Sequence, residues 1–262
     1  MAASTSIADL QIHRFPAYIS RLPPCTKVLI LATVLASVVD LTSIFDIQGW
    51  GALIPDKVSI FSAHRANTYP FIHAGIISAL FNIATSTPLI QRFEAQYGTL
   101  TALALFFGPL STFPAFLYVL IDRLVLHTNA TLMGSSVWTF LLLGLETARN
   151  RKTNPHLALG PYRVPTWALL LFVVVCTEAL VPSTSLTGHL CGAAVGYACG
   201  LGLIKWLCPP EKVLRWLETK LSLRRRLPHY ASVDQKAYGR FGVLPTSGGG
   251  GSAEKGVELG PV

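Results

Sequence analysis

The sequence predicts an all-α, polytopic membrane protein built on a bundle of six transmembrane helices. Three observations carry this. Of 262 residues, 51% are hydrophobic and 13% charged, about half the charge of an ordinary soluble domain. Four charge-free stretches, 67–91, 95–121, 124–145 and 179–204, each exceed the roughly 18 apolar residues that argue for a spanning helix. With two weaker spans added, 18 of the 21 Lys and Arg residues fall on one side of the membrane, the side that positive charge marks as cytosolic.

The chain begins with a cytosolic segment, 1–27, interrupted by Pro16, Pro23 and Pro24. The six-span membrane domain, 28–207, starts with a span from about Val28 to Phe45 that is expected to act as an uncleaved anchor. Asp40 within it is costly in lipid and should be hydrogen-bonded to protein or water. The connection from Thr42 to Pro70 interleaves Phe45, Trp50, Ile60 and Phe61 with polar residues, the pattern of a loop half-sunk in the interface. Span two follows. On one continuous helix His73 and Asn82, nine positions apart, face opposite ways at about 100° per residue, so His73 reads as structural. Asn82 has an amide that must find a partner in mid-membrane.

Glu94 at the far end of span two is expected to tie loop backbone or Arg92. Span three carries Pro109 and Pro114, residues that membrane helices tolerate when neighbours satisfy the freed backbone groups. A loop follows with a glycosylation sequon at Asn129, close to the membrane. Span four contains Leu132–Phe140, LMGSSVWTF; span five ends near Glu178; span six contains GHLCGAAVGYACG from Gly188. In span six His189, Gly192, Gly196 and Gly200 share a stripe, because steps of three and four stay near one helix face. Glycines there let another helix approach closely.

The tail, 208–262, is basic. Val213, Leu214, Leu217 and Leu221 among Lys212, Arg215 and Lys220 predict an amphipathic helix over Glu211–Leu221 on an anionic membrane surface. Beyond Pro228 few large apolar residues remain and Gly248–Gly251 forms a run, so disorder is expected, with Tyr238–Pro245 a candidate docking peptide. The net charge of +8 lies beside spans, where it sets orientation, and does not point to nucleic acid. Five cysteines have neither zinc-like spacing nor the pattern of a disulfide framework. No metal or organic cofactor has a visible motif.

Ser136 and His189 lie at similar depths in spans four and six, which run in the same direction. A serine hydroxyl becomes a nucleophile when a base takes its proton, and histidine is the usual base. Acyl transfer also needs donors for the oxyanion; Asn82 and the backbone N–H of Ser135 or Ser136 are the candidates, with Gly134 allowing a tight bend. Each residue alone would be ordinary helix packing. Three polar residues entering from one side, on three spans of one direction, are not.

These elements, TYPFIHAGIISALFN, the EAQYG of Glu94–Gly98, GSSVW for a GxSG motif and GHLCGAAVG, resemble the rhomboid intramembrane serine proteases across the six-span core. The resemblance implies Ser136 as nucleophile, His189 as base and Asn82, with Ser135 and Ser136, as oxyanion donors. It also implies that Gly134 belongs to the oxyanion pocket and that Phe140 packs on the imidazole, while Gly192 supports the histidine helix. Two positions depart from the pattern. Val137 stands where the motif has its second glycine and is expected to narrow the site; Ser78 replaces a histidine four residues before Asn82 and removes one oxyanion donor.

The GxSx variant and cytosolic tail resemble fungal Golgi rhomboids. That implies cleavage of single-span membrane proteins in the bilayer, including a sterol-responsive transcription-factor precursor, and recruitment of a hexameric AAA-type ATPase by the tail. Both termini would be cytosolic and the site would open to the lumen. Two alternatives stand beside it: a catalytically silent rhomboid-like client-escort or quality-control protein, and a small transporter, for which no convincing internal repeat is present.

Overall fold

A computed structural model describes residues 18–42, 44–151, 155–159, 162–180 and 185–232. Tyr238–Pro245 and the glycine run lie outside the described residues. The chain is a helical bundle: α1 Pro24–Thr42, α2 Ile76–Tyr97, α3 Thr99–Phe106, α4 Pro109–Ile121, α5 Ser136–Asn150, α6 Thr166–Leu180, α7 Leu186–Ala198 and α8 Glu211–Leu221. Strands β1 His156–Leu159 and β2 Tyr162–Pro165 form a short antiparallel hairpin before α6.

The apolar stretches form helices of unequal length. Among the described residues, three helical runs are long and apolar enough to cross a membrane, Pro24–Thr42, Thr99–Leu126 and Leu186–Leu207, and four if a bent pair is counted as one span. That pair, Ile60–Phe71 and Ile76–Tyr97, bends by 77°. Gly75, with φ +91°, is the joint, a backbone state that glycine enters without steric penalty. The continuous helix assumed across His73 and Asn82 is therefore absent, and their opposed facing does not follow. α5 begins at Ser136, twelve residues after the apolar stretch starts at Leu124. The reason is a loop that has already entered the bundle: Leu132 is buried and exchanges backbone hydrogen bonds with Leu53, N to O at 2.8 and 3.0 Å.

The Thr42–Pro70 connection folds into short helical turns. Arg65 is buried and pins them by donating to the carbonyls of Ala52 and Gly49 at 2.7 and 2.6 Å. Trp50 stacks on His64, while Ile60 and Phe61 are almost wholly exposed. Asp40 accepts from Gln48 at 3.0 and 3.1 Å.

The core is built from buried side chains of α1, α2, α3 and α5, with Leu110 of α4 and Cys199 and Ile204 just beyond α7. Trp138 at its centre packs edge-on against Phe71 and Phe106 and donates from Nε1 to Ser111 Oγ at 3.1 Å. α5 and α7 approach backbone to backbone. A Cβ on Gly196 would lie 1.8 Å from Leu141 O, one on Gly192 2.5 Å from Val137 O, and one on Gly144 2.3 Å from Ala193 O. Glycine is thus demanded there by contact distance, which is how helices gain packing contacts in the absence of a hydrophobic drive between them.

At the other end of the bundle Glu94 is fully buried. It accepts from Cys25 N, Thr26 N, Thr26 Oγ1 and Thr99 Oγ1 at 2.8–2.9 Å. A buried carboxylate is tolerable when its lone pairs are all engaged; here it joins the starts of α1 and α3. The disorder expected directly after Pro228 does not begin there. Thr99 N donates to Ala231 O at 2.9 Å and Ala231 N to Thr99 Oγ1 at 3.1 Å. Tyr230 and Ser232, both buried, donate to the two oxygens of Glu218 on α8 at 2.9 and 3.0 Å. Two buried hydroxyls with a shared carboxylate give this segment the partners that its sparse apolar content did not promise.

Candidate active site

Ser136 is the first residue of α5 and His189 lies in the first turn of α7. Ser185 caps α7, its Oγ accepting from Gly188 N at 3.2 Å, and so fixes where that first turn starts. His189 Nε2 stands 3.1 Å from Ser136 Oγ, with the histidine 1% and the serine 8% exposed. The pair is held from outside by Phe140, one turn below Ser136, whose ring centroid lies 4.4 Å from that of the imidazole. Proton transfer from the hydroxyl to Nε2 needs no side-chain movement at this separation.

The loop before α5 is shaped by Gly134, at φ +104°, a conformation that L side chains rarely adopt. Its N–H donates to Tyr69 O at 3.0 Å. Ser135 N donates to His73 Nε2 at 3.2 Å, and Ser135 Oγ lies 3.3 Å from the same nitrogen. Ser135 N–H is thus engaged by a histidine, and His73, expected on the face opposite Asn82 and read as structural, holds the serine loop itself. Its signal in the sequence was Gly75 two residues later, which frees His73 from the face that helical spacing assigns it.

Asn82 is buried on α2, but its Nδ2 donates to Ser78 O in its own helix at 2.9 Å. One of its two amide hydrogens is committed there. It is not hydrogen-bonded to Ser135 or Ser136. Ser136 N–H sits at the first helical position, where no intrahelical carbonyl is available to it. Val137, beside Ser136, has a fully buried side chain that meets Gly192 across the α5–α7 contact. Gly192 supports α7 by admitting that contact. Among the described residues no cluster of His, Cys, Asp or Glu could hold a metal, and Cys25, Cys176, Cys191 and Cys199 are free thiols.

A hydroxyl held to an imidazole inside a bundle of apolar helices is the geometry of a membrane-embedded serine hydrolase. The model of the Rhomboid domain matches residues 61–206. The chain is 49% identical to the Rhomboid-type serine protease 2 of Neurospora crassa over 98% of its own length and 94% of the relative's. It is 47% identical to the protein of that name in Podospora anserina over 98% and 96%, and 48% identical to Rhomboid-type serine protease B of Aspergillus fumigatus over 94% and 92%. The chain belongs to the rhomboid family. It is an integral membrane protein and an intramembrane serine protease.

Proposed function

We propose that Ser136 and His189 are the catalytic dyad and that the enzyme cleaves the transmembrane segments of single-span proteins. The 3.1 Å contact between Ser136 Oγ and His189 Nε2 carries this reading. Substrate backbone unwinds beside the start of α5 and presents a carbonyl carbon. As Oγ bonds that carbon, the serine proton passes to Nε2 and the carbonyl electron pair moves onto oxygen. Ser136 N–H and the remaining Asn82 amide hydrogen are the donors for that oxyanion. The imidazolium then protonates the leaving nitrogen as the C–N bond breaks. Water, deprotonated by the same imidazole, releases the acyl group.

The site end of the bundle is the luminal end and both termini are cytosolic, a reading supported by the basic residues gathered on the opposite side. The GxSx motif at Gly134–Val137 and the basic tail are the features behind the finer reading, a Golgi enzyme acting on a sterol-responsive transcription-factor precursor with the tail drawing an AAA-type ATPase.

The test is coexpression with tagged single-span candidates in cells lacking the native enzyme. Ser136→Ala and His189→Ala should each abolish the cleaved product at unchanged protein level, a loss of at least about a thousandfold. Full cleavage by Ser136→Ala would end the proposal. Absence of both cleavage and fluorophosphonate capture in the parent would favour the client-escort reading.

A further inference from the structure

A general base works only if its imidazole presents the unprotonated nitrogen to the hydroxyl, and the partner of the other nitrogen decides which tautomer that is. His189 Nε2 faces Ser136. Its Nδ1 is buried and has no hydrogen-bond partner among the described residues, an arrangement that would leave the ring's orientation to Phe140 alone. The nearest charged group is Glu178 on α6, whose Oε2 lies 3.6 Å from Nδ1. The carboxylate is partly open, at 27% exposure, and the imidazole is closed, at 1%.

The approach is set by helix register. Leu170, Val174 and Glu178 are spaced by four and share one face of α6. Leu170 and Val174 pack with Phe140 of α5 and Ala193 of α7. Phe140 is one turn beyond Ser136, and Ala193 one turn beyond His189. The packed face of α6 therefore runs along the strip of α5 and α7 that carries the dyad, and one further turn brings Glu178 level with it. Glu178 is also the only Asp, Glu, Lys or Arg in Thr166–Leu180.

We infer that Glu178 is a positioning residue for His189, completing a Ser–His–Glu arrangement; this rests on the dyad reading above. Closing the gap to hydrogen-bond length takes a shift of about half an ångström, within the reach of side-chain torsions. The carboxylate then accepts Nδ1–H, leaves Nε2 unprotonated toward Ser136, and stabilises the imidazolium that forms when the serine proton arrives. It takes no proton itself.

The experiment uses the full-length protein in liposomes with a single-span substrate that the parent cleaves. It reads kcat, KM, fluorophosphonate capture and thermal unfolding. Glu178→Gln keeps size and removes charge; Glu178→Asp keeps charge. Expected is a fall of about tenfold or more in kcat and capture rate for Glu178→Gln with KM unchanged, and partial recovery in Glu178→Asp. Parent-like rates in Glu178→Gln would overturn the inference, as would equal losses in both variants with raised KM, the mark of packing. If Glu178→Gln unfolds, 15N resonances of His189 in the parent decide: a proton on Nδ1 supports the assignment and one on Nε2 defeats it. Capture that persists in Ser136→Ala would instead sink the dyad reading, separating the two failures.

Discussion

His73 accepts from the backbone N–H of Ser135 at 3.2 Å and so holds the serine loop from the α2 side. Replacing it with alanine leaves a buried N–H without its acceptor, a loss of about 1–3 kcal/mol, and frees the loop that sets Ser136 against His189. We expect His73→Ala to lower thermal stability and reduce fluorophosphonate capture at least fivefold while the protein still folds. Parent-like capture would mean that Gly134 alone fixes the loop. The meeting of Ser136 and His189 could be anticipated from the sequence because both lie near the starts of helices that run the same way. The role of His73 could not, since helical spacing carries no information past the bend at Gly75. The engagement of Ser135 N–H by His73 was hidden for the related reason that spacing along one helix does not show which side chain from elsewhere reaches a loop. Glu178 lay in plain view near the end of a span, but its level relative to His189 depends on how α6 packs.

Among elements, α5 and α7 are the pair on which the site depends, because one carries the serine and the other the histidine. Their contact has no room for a side chain at Gly196, where a Cβ would meet Leu141 O at 1.8 Å. Gly196→Ala must push the helices apart, at a cost of about 1–3 kcal/mol from overpacking. The separation also widens the Ser136–His189 contact two turns away. The expected outcome is a lowered unfolding temperature together with a loss of cleavage larger than the change in folded fraction explains. Equal losses in the two measurements would show that the site survives the separation. The close approach could be foreseen from glycines spaced by four. The helix limits were less legible: hydropathy marks where chain can be buried in lipid, and Leu132, Gly134 and Ser135 are buried in protein as loop, which hydropathy does not distinguish from helix. The bend at Gly75 was likewise marked by no more than a single glycine within a continuous apolar run.

For the whole molecule, the proposed dyad and the fastening at Glu94 lie at opposite ends of the bundle. α2 starts near the serine loop and finishes at Glu94, where one carboxylate gathers α1, α3 and, through Thr99, the segment around Ala231. Glu94→Ala strips four donors of their acceptor at once. Two of them are backbone N–H groups at the start of α1, where no intrahelical partner exists. A loss of about 3 kcal/mol or more follows from breaking a buried, fully bonded charge. Because the break lies a full helix away from Ser136, the surviving folded protein at low temperature should capture fluorophosphonate at the parent rate, with inactivation shifted to lower temperature. Capture slowed in proportion at every temperature would instead mean that α1 and the tail segment communicate with the dyad along α2. A double variant with Glu218→Ala separates the possibilities further. Glu218 anchors Tyr230 and Ser232 to α8, so it loosens the tail segment without touching α1. If fastening is all this end does, the two substitutions should lower stability through the shared link at Thr99 by less than the sum of their separate effects, and neither should alter the chemistry at the far end.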